Sequence, residues 1–225
     1  LDGVFPDVRQ ISFTGSQDER TAFSERVKSG FRDYVECVLR GNSIDEIFTS
    51  FNSFRILCAV QKGPEGVVHI NRVIERCLSE IGLDTTTESW YIGRPVMVTR
   101  NDYNLMLFNG DIGIVLPDPE LDGSLRVYFH LGKGEYRRVH PHRLSEHVTV
   151  YAMTVHKSQG SEFDNMLLLM PTVESKVLGR ALVYTAITRA RSSIEIWGTP
   201  DIFISAVSLR DKRNSGLCNR LWPCI

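Results

Sequence analysis

The sequence predicts an α/β domain that is interrupted by a small all-β unit. Before residue 94 and after residue 148, strand-length apolar runs alternate with amphipathic helical segments, which is typical of α/β folds. Between these flanks, short strand-like runs are separated by turn residues, which indicates a small antiparallel barrel. Because neither flank alone has enough strands for a full sheet, we predict one α/β domain from residues 1–93 and 148–225, with a β-barrel insert over 94–147.

The first flank predicts helices around one buried strand. Ser16 and Glu19 match a capping box at the start of a long amphipathic helix, and Ser43 with Glu46 repeats the pattern. An apolar run of strand length follows and is consistent with a buried parallel strand. The predicted elements are a helix over 16–40, a short helix from 43, a strand over 54–60 and a helix over 67–81.

The insert and the second flank predict strands of two kinds. Turns rich in glycine, asparagine and proline separate the short runs of the insert, which cover 94–99, 111–116, 125–130 and 135–140. In the second flank, helical segments separate the strands. Its predicted order is a strand over 149–155, a polar loop and helix start over 156–163, a strand over 165–170, a helix over 179–190, a strand over 192–197 and a helix over 200–210.

The composition is that of a soluble globular protein. Of the 225 residues, 42% are hydrophobic and 24% are charged, which excludes the disordered and fibrous classes. The longest apolar run, residues 166–170, is far shorter than the roughly twenty residues of a membrane span. Five cysteines without a C-x-x-C pair favour the reducing cytoplasm. The first residues match no secretory signal, and we expect the chain to be a piece of a longer protein.

The charge balance does not by itself indicate a partner. The chain has 26 basic and 27 acidic residues, so its net charge is −1. Residues 126–147 hold four histidines and five arginines or lysines, and this stretch fits a phosphate contact about as well as a solvated strand face. Because these histidines lack the spacing of metal ligands, no metal site is predicted.

The phosphate-binding loop of nucleotide motors is absent from the sequence. Such a loop reads G-x-x-x-x-G-K-[ST], because backbone amides must cradle the phosphates and the lysine must reach the outer ones. No such run occurs here. Asp45 and Glu46 follow a polar turn rather than an apolar strand, so we interpret them as a helix start and not as a Mg²⁺-binding pair. The chain alone is therefore predicted not to hydrolyse ATP.

Two segments carry a specific resemblance. Residues 151–164 read YAMTVHKSQGSEFD, and residues 182–191 read LVYTAITRAR, with two arginines on a predicted helix. They resemble motifs V and VI of superfamily 1 helicases. Further segments resemble the C-terminal part of the RecD family, the alpha subunits of exodeoxyribonuclease V, and these are GPEGV at 63–67 with Asn71, GRPVM at 93–97 with RND at 100–102, LFNGDIG at 107–113, and SGL at 215–217.

This resemblance implies a fold, an activity and partners. It implies a second RecA-like motor lobe, of the P-loop NTPase type, with an inserted barrel of the Src-homology-3 type. The implied activity is ATP-dependent 5′→3′ DNA unwinding within the RecBCD complex, in double-strand-break repair and recombination. The implied partners are single-stranded DNA, RecB-like and RecC-like subunits and an N-terminal motor lobe, and that lobe would bind most of the ATP and Mg²⁺.

The resemblance also assigns residues to the nucleotide. Arg189 matches the motif VI arginine that reaches the γ-phosphate across the cleft, where a fixed planar cation stabilises phosphoryl transfer. Gln159, Gly160 and Glu162 match the nucleotide side of motif V, with Gly160 allowing close backbone approach and Glu162 accepting a ribose hydroxyl. A carboxylate at a helix start is the alternative for Glu162. Arg191 is a weaker candidate, with a solvated helix end as its alternative.

A second set of residues is expected at DNA. Hydroxyl and imidazole donors at a strand end can contact a DNA backbone without reading sequence, and a hydrogen-bonded loop is the alternative. The expected residues are Thr154, His156, Ser158, Asn71, Phe108 and Asn109. For Asn71 a helix-surface amide is equally plausible, and Phe108 could be barrel core instead of a base-stacking ring. Arg55 and Lys62 are weaker candidates for phosphate contacts.

Two other functions stay open at this point. The same lobe could belong to a stand-alone RecD-like helicase or to a relaxase-linked helicase. Because the phosphate loop is absent, the chain could also be a non-catalytic module that binds single-stranded DNA or docks subunits.

Overall fold

A computed structural model describes residues 5–85, 89–132 and 134–209 of the chain. Its strands form two sheets of five strands each, one parallel and one antiparallel. In chain order the elements are β1 (Val8–Ile11), α1 (Gln17–Leu39), α2 (Ile44–Ser53), β2 (Phe54–Cys58), α3 (Val67–Ser79), β3 (Pro95–Val98), β4 (Ile112–Pro117), β5 (Leu125–Gly132), β6 (Glu135–Val139), β7 (His147–Thr149), β8 (Ala152–Thr154), β9 (Phe163–Leu169), α4 (Arg180–Ile187), β10 (Ala190–Trp197) and α5 (Pro200–Ser208).

The parallel sheet lies between two layers of helices. Its strand order is β1-β10-β9-β2-β8, and the pairings within it are parallel. Because successive side chains of a strand point to opposite faces, Ile56 packs with α1, α2 and α3, whereas Leu57 packs with α4 and α5. All five residues of β2 are buried, which confirms the predicted buried strand. None of the helices in the described residues is long and apolar enough to cross a membrane.

Both predicted capping boxes are present at the helix starts. The Ser16 side chain accepts from the Glu19 N–H, and the Glu19 carboxylate accepts from the Ser16 N–H. The Thr14 hydroxyl and N–H also donate to Glu19, and these bonds lower the pKa of the Glu19 carboxyl to about 2. Ser43 and Glu46 form the second box, so the Asp45-Glu46 pair is a helix start, as predicted.

The second flank departs from the predicted elements at three points. The strand expected over 149–155 is divided, because Thr149 pairs with Val96 in the antiparallel sheet while Ala152 pairs with Ile56 in the parallel sheet. The helix start expected within 156–163 is instead a 3-10 turn over Val155–Ser158. The helix expected over 179–190 ends at Ile187, since the following residues join β10. Strand β1, an edge strand of mixed polarity, was not predicted.

The antiparallel sheet packs on both of its faces. Its order is β6-β5-β4-β3-β7. Val115, Val127 and Phe129 point into a small core of its own, whereas Ile114 and Tyr128 join the core beneath α1 and α2. Among the described residues the pairings are those of an open sheet, and a β6–β7 pair that would close a barrel is not among them.

The chain passes from the parallel sheet to the antiparallel sheet before β3 and returns after β7, and both crossings are fixed at Gly93. Its carbonyl accepts a hydrogen bond from Tyr34 of α1 at 2.7 Å and another from Tyr151 at 3.0 Å. On the outgoing crossing, the Arg94 guanidinium donates to the Thr149 hydroxyl. Both crossings are therefore tied to one buried point. The resemblance noted at 215–217 lies outside the described residues.

Candidate nucleotide and nucleic-acid interface

One short segment runs from the edge of the parallel sheet where the strands end, the carboxyl edge, to the edge where they begin, the amino edge. Strand β8 ends at Thr154 and strand β9 begins at Phe163, and residues 155–162 between them are called here the crossover segment. Because β8 and β9 are parallel and β2 lies between them, the crossover segment runs from the carboxyl edge of β8 to the amino edge of β9. Its first residues therefore lie at one edge of the sheet and its last residues at the other.

Arg189 lies at the amino-edge end of the crossover segment. It follows the C-cap of α4, and its carbonyl accepts the Phe163 N–H at 2.9 Å, which fixes its backbone beside β9. Its half-buried guanidinium donates to Ser161 O at 3.4 Å, Thr185 O at 3.3 Å and the Thr188 hydroxyl at 3.2 Å. These bonds are long, so the backbone is held firmly and the guanidinium only weakly.

The structure corrects the surroundings predicted for Glu162 and Arg191. Arg191 lies in strand β10 and not at a helix end, because the chain leaves α4 at Ile187. Its Nε donates to the Glu162 carboxylate at 3.1 Å, and Asp164 lies 3.8 Å from its Nη1. Glu162 precedes a strand, so the helix-start alternative for it is wrong. Since both partners are more than half exposed, the pair contributes little to stability and could open for a ligand.

Gly160 leaves an open approach to the backbone of the crossover segment. Its φ of +88° is the left-handed conformation that favours glycine, and no heavy atom lies within 4 Å of where a Cβ would stand. Gln159 beside it is exposed. The structure thus brings Gln159, Gly160, Glu162 and Arg189 to one end of the crossover segment, with room around them.

These residues fit the phosphate portion of a nucleotide rather than a metal ion. A weakly held guanidinium beside an open glycine backbone can meet a phosphate oxygen directly. Among the described residues, no group of three or more histidine, cysteine or carboxylate side chains could hold a metal ion.

A groove of about 1030 Å³ opens at the carboxyl edge of the sheet. Thr154, His156 and Lys157 line it on one side, and α3, the chain after β2 and the antiparallel sheet form the rest of the wall. Among the described residues that line the groove, three are exposed cations, namely Lys62, Arg72 and Lys157, and Glu75 is the single acidic side chain. Such a cationic groove can follow a phosphate backbone.

Two residues expected at DNA are structural instead. The Ser158 hydroxyl is fully buried and donates to Val155 O at 2.8 Å, closing the 3-10 turn. The Asn71 side chain is buried and makes hydrogen bonds to both backbone groups of Ala152, at 2.9 Å each. Neither has a polar atom left for DNA in this conformation. Arg55 is likewise fully buried, so it is not placed to contact a phosphate.

The antiparallel sheet meets the crossover segment at Asn109. The Lys157 ammonium donates to the Asn109 side-chain oxygen at 2.7 Å. Beside Asn109, Phe108 is 50% exposed, and its ring lies edge-on to Tyr103, which is 76% exposed, at a centroid distance of 6.4 Å. The core alternative for Phe108 is therefore wrong. Sequence reasoning did not single out Tyr103 or Arg72, although an aromatic in the same short loop as Phe108 and a cation directly after Asn71 were visible signals.

Two family models match parts of the chain. The UvrD-like helicase C-terminal domain matches residues 149–194, which include β8, the crossover segment, β9 and α4. The SH3 domain of ATP-dependent RecD-like DNA helicases matches residues 70–129, which run from α3 into β5.

Solved structures show weaker likenesses. A Pif1 helicase from Candida albicans is 16% identical with a TM-score of 0.46, covering 89% of this chain and 59% of that one. A Bacteroides Pif1 bound to single-stranded DNA is 18% identical with a TM-score of 0.41, covering 94% and 55%.

Sequence relatives cover most of the chain. RecBCD enzyme subunit RecD of Mycolicibacterium smegmatis is 40% identical over 79% of this chain and 31% of its own length. RecD of Haemophilus influenzae is 34% identical over 93% of this chain and 34% of its own length. The ATP-dependent RecD2 DNA helicase of Deinococcus radiodurans is 33% identical over 74% and 23%. The chain spans about a third of the RecD sequences it matches. It belongs to the RecD family and corresponds to the C-terminal part of its members.

Proposed function

We propose that the chain is the C-terminal motor lobe of an ATP-dependent 5′→3′ DNA helicase, the RecD subunit of an exodeoxyribonuclease V that acts in double-strand-break repair and recombination. The relatives named RecBCD enzyme subunit RecD support this proposal, and RecB-like and RecC-like subunits are then its partners. In this proposal residues 1–93 and 148–225 form a RecA-like lobe, and residues 94–147 form a domain of the Src-homology-3 type, although the described strands pair as an open sheet. The lobe alone does not hydrolyse ATP, because the phosphate loop and the Mg²⁺ ligands belong to the N-terminal lobe.

One observation carries the proposal. The crossover segment is only eight residues long, yet His156 and Lys157, with Thr154 just before them in β8, face the cationic groove. At the other edge, Ser161 and Glu162 meet Arg189 and Arg191. A segment this short transmits a shift at one end to the other end. Binding of a nucleotide and binding of a DNA strand therefore act on the same piece of chain.

Arg189 acts at the γ-phosphate. Its three long hydrogen bonds to the protein are weaker than a charge-assisted bond to a phosphate oxygen, so ATP draws the guanidinium away from Ser161. The freed Ser161 carbonyl then lets the crossover segment move, which alters the groove around Thr154 and His156. In the transition state the guanidinium stabilises the charge that develops on the transferred phosphoryl group.

DNA-stimulated ATP hydrolysis by the full-length protein tests the role of Arg189. In Arg189→Ala we expect kcat to fall by about 10³-fold or more, while ATP binding stays within a few-fold of wild type. Arg180→Ala is the matched control, because Arg180 is an exposed arginine at the other end of α4, and it should keep wild-type activity.

An unchanged rate in Arg189→Ala would contradict the proposal. The lobe would then be a non-catalytic clamp for single-stranded DNA. Co-purification of the full-length protein with RecB-like and RecC-like subunits separates the exodeoxyribonuclease subunit from a stand-alone helicase.

A further inference from the structure

Arg55 is a fully buried arginine in the central part of the parallel sheet. It lies in β2, and its guanidinium is stacked between two aromatic rings, 3.8 Å from the Phe51 centroid and 4.9 Å from the Phe163 centroid. Nη1 donates to Val150 O at 3.0 Å, and Nη2 donates to the Asn52 side chain at 3.2 Å.

This cation has no anionic partner in the described part of the chain, where none of the ion pairs includes it. Its Nε is buried without a hydrogen-bond partner. Burial lowers the pKa of Arg55 to about 9, so the group is still charged at neutral pH. An unpaired buried charge is costly to a fold, and an apolar side chain would occupy the place at least as well. A role in stability does not explain this residue.

The contacts of Arg55 bracket the crossover segment. Val150 comes just before β8, and Phe163 comes directly after the crossover segment. Strand β2 lies between β8 and β9, and Leu57, two residues beyond Arg55 on the same face, packs in one cluster with Val150 and Phe163. One side chain thus holds both ends of the stretch that carries the groove residues and the nucleotide residues.

We propose that Arg55 is a positioning residue that anchors both ends of residues 151–162, so that a shift caused by nucleotide at Ser161 and Glu162 is delivered to Thr154 and His156 in the groove. This inference rests on the proposed function. A planar guanidinium can hold a carbonyl on one edge and stack on two rings at once, which neither lysine nor an apolar residue can do. With the anchor loosened, the ends of the stretch move independently, and ATP and DNA binding become uncoupled.

The experiment measures coupling and stability in the same variants of the full-length protein. The dissociation constant for single-stranded DNA is measured with and without a non-hydrolysable ATP analogue, and the ratio is the coupling factor, which commonly lies between about 5 and 150. In Arg55→Met we expect this factor to fall close to 1, with the denaturation midpoint close to that of wild type, because removal of the unpaired buried charge offsets the hydrogen bond that the Val150 carbonyl loses. Arg55→Lys should also fail to restore coupling, because it keeps the charge without the planar fork.

Arg26→Met is the matched control. Arg26 is also an arginine stacked on a ring, 4.5 Å from the Phe54 centroid, but its ion pair is with Glu195 of β10 and not with a residue of the crossover segment. We expect the opposite pattern from it, a lower denaturation midpoint with an unchanged coupling factor. Phe163→Leu is a second variant that removes one ring, and it should lower the coupling factor even if Arg55→Met does not fold.

The outcomes separate the two proposals. If wild type shows no effect of nucleotide on DNA affinity, the proposed function is overturned and this inference with it. If wild type is coupled and Arg55→Met or Phe163→Leu is coupled to the same degree, the inference alone is overturned. If Arg26→Met loses coupling as fully as Arg55→Met, coupling follows general stability, and the anchoring role is also overturned.

Discussion

Asn71 fastens helix α3 to strand β8 through both ends of its amide. Nδ2 donates to the Ala152 carbonyl and Oδ1 accepts from the Ala152 N–H, each at 2.9 Å. Because β8 is an edge strand of the parallel sheet, these are bonds that a further strand would otherwise make. One side chain thus takes the place of a neighbouring strand and closes the sheet beside the groove.

Replacing Asn71 with alanine should destabilise the protein strongly. In Asn71→Ala both backbone groups of Ala152 are left buried without a partner, and we expect a loss of about 3 kcal/mol in the free energy of unfolding. Chemical denaturation measures it. Arg72→Ala, the exposed neighbour on the same helix, should change stability by no more than about 0.5 kcal/mol. Equal losses in the two variants would show that the amide is not the clamp.

Single residues also show where sequence reasoning about the site reached its limit. Arg189 and Gly160 belong to local patterns, and the structure places them together. Asn71 stands beside the apolar stripe of its helix, a position that suits an exposed amide as well as a buried one. Its partner Ala152 is 81 residues away, so the local pattern cannot reveal the bond. Ser158 was expected at DNA for a similar reason. The local sequence does not distinguish a serine whose hydroxyl closes a turn from a serine whose hydroxyl is exposed.

At the scale of elements, a stacked pair of rings joins the segment that enters the antiparallel sheet to the segment that leaves it. The Trp90 and His147 rings are stacked at a centroid distance of 4.6 Å, and the Arg94 guanidinium lies over Trp90. Burial, followed by the nearby Arg94 charge, lowers the pKa of His147, although a hydrogen bond to Leu144 O opposes the shift. The folded protein therefore favours the neutral imidazole.

The stability of the protein should consequently fall in mild acid. Because the pKa of His147 is lower in the folded state than its ordinary value of 6.5, the unfolded chain takes up this proton first as pH falls. The contribution of His147 to the free energy of unfolding is complete above about pH 6.5. It decreases below that pH until His147 is also protonated in the folded protein. Denaturation midpoints between pH 8 and pH 5 measure the slope. His147→Gln should flatten it, whereas the exposed His142→Gln should not, and the same slope in both variants would contradict this origin.

The elements that sequence predicted best are those fixed by local chemistry. The helices α1 and α2 begin where their capping boxes place them, since the serine and glutamate of each box are neighbours in the chain. The boundary between β7 and β8 was missed because residues 149–155 have the pattern of a single strand. Only the partners of Thr149 and Ala152, which are Val96 and Ile56 in different sheets, divide them. The prediction that Arg189 and Arg191 lie on a helix was wrong for a similar reason. Strand β10 pairs with β9, so helix α4 ends at Ile187, before both arginines.

At the scale of the whole molecule, the antiparallel sheet is held at three separate places. Gly93 accepts two tyrosine hydroxyls at the crossings, the Tyr136 hydroxyl bonds Asp45 while its ring packs on Phe48, and Asn109 bonds Lys157. Three contacts made by different elements fix the orientation of the antiparallel sheet on the rest of the molecule. We therefore expect the two sheets to move together, so that the exposed ring of Phe108 keeps its position relative to the groove.

Gly93 provides the test of this arrangement. Its φ is +79°, and a Cβ on it would stand 2.9 Å from a Val38 methyl and 3.1 Å from a Leu83 methyl. Gly123 has a φ of +76° with no heavy atom near, so Gly123→Ala carries the backbone strain alone, about 1–2 kcal/mol. Gly93→Ala should lose about 1–3 kcal/mol more because the buried core must shift to admit the methyl group. Denaturation followed by tryptophan fluorescence and by circular dichroism should show one coincident transition in both variants. A separate early transition in Gly93→Ala would mean that the antiparallel sheet can detach, and that its placement over the groove depends on this crossing alone.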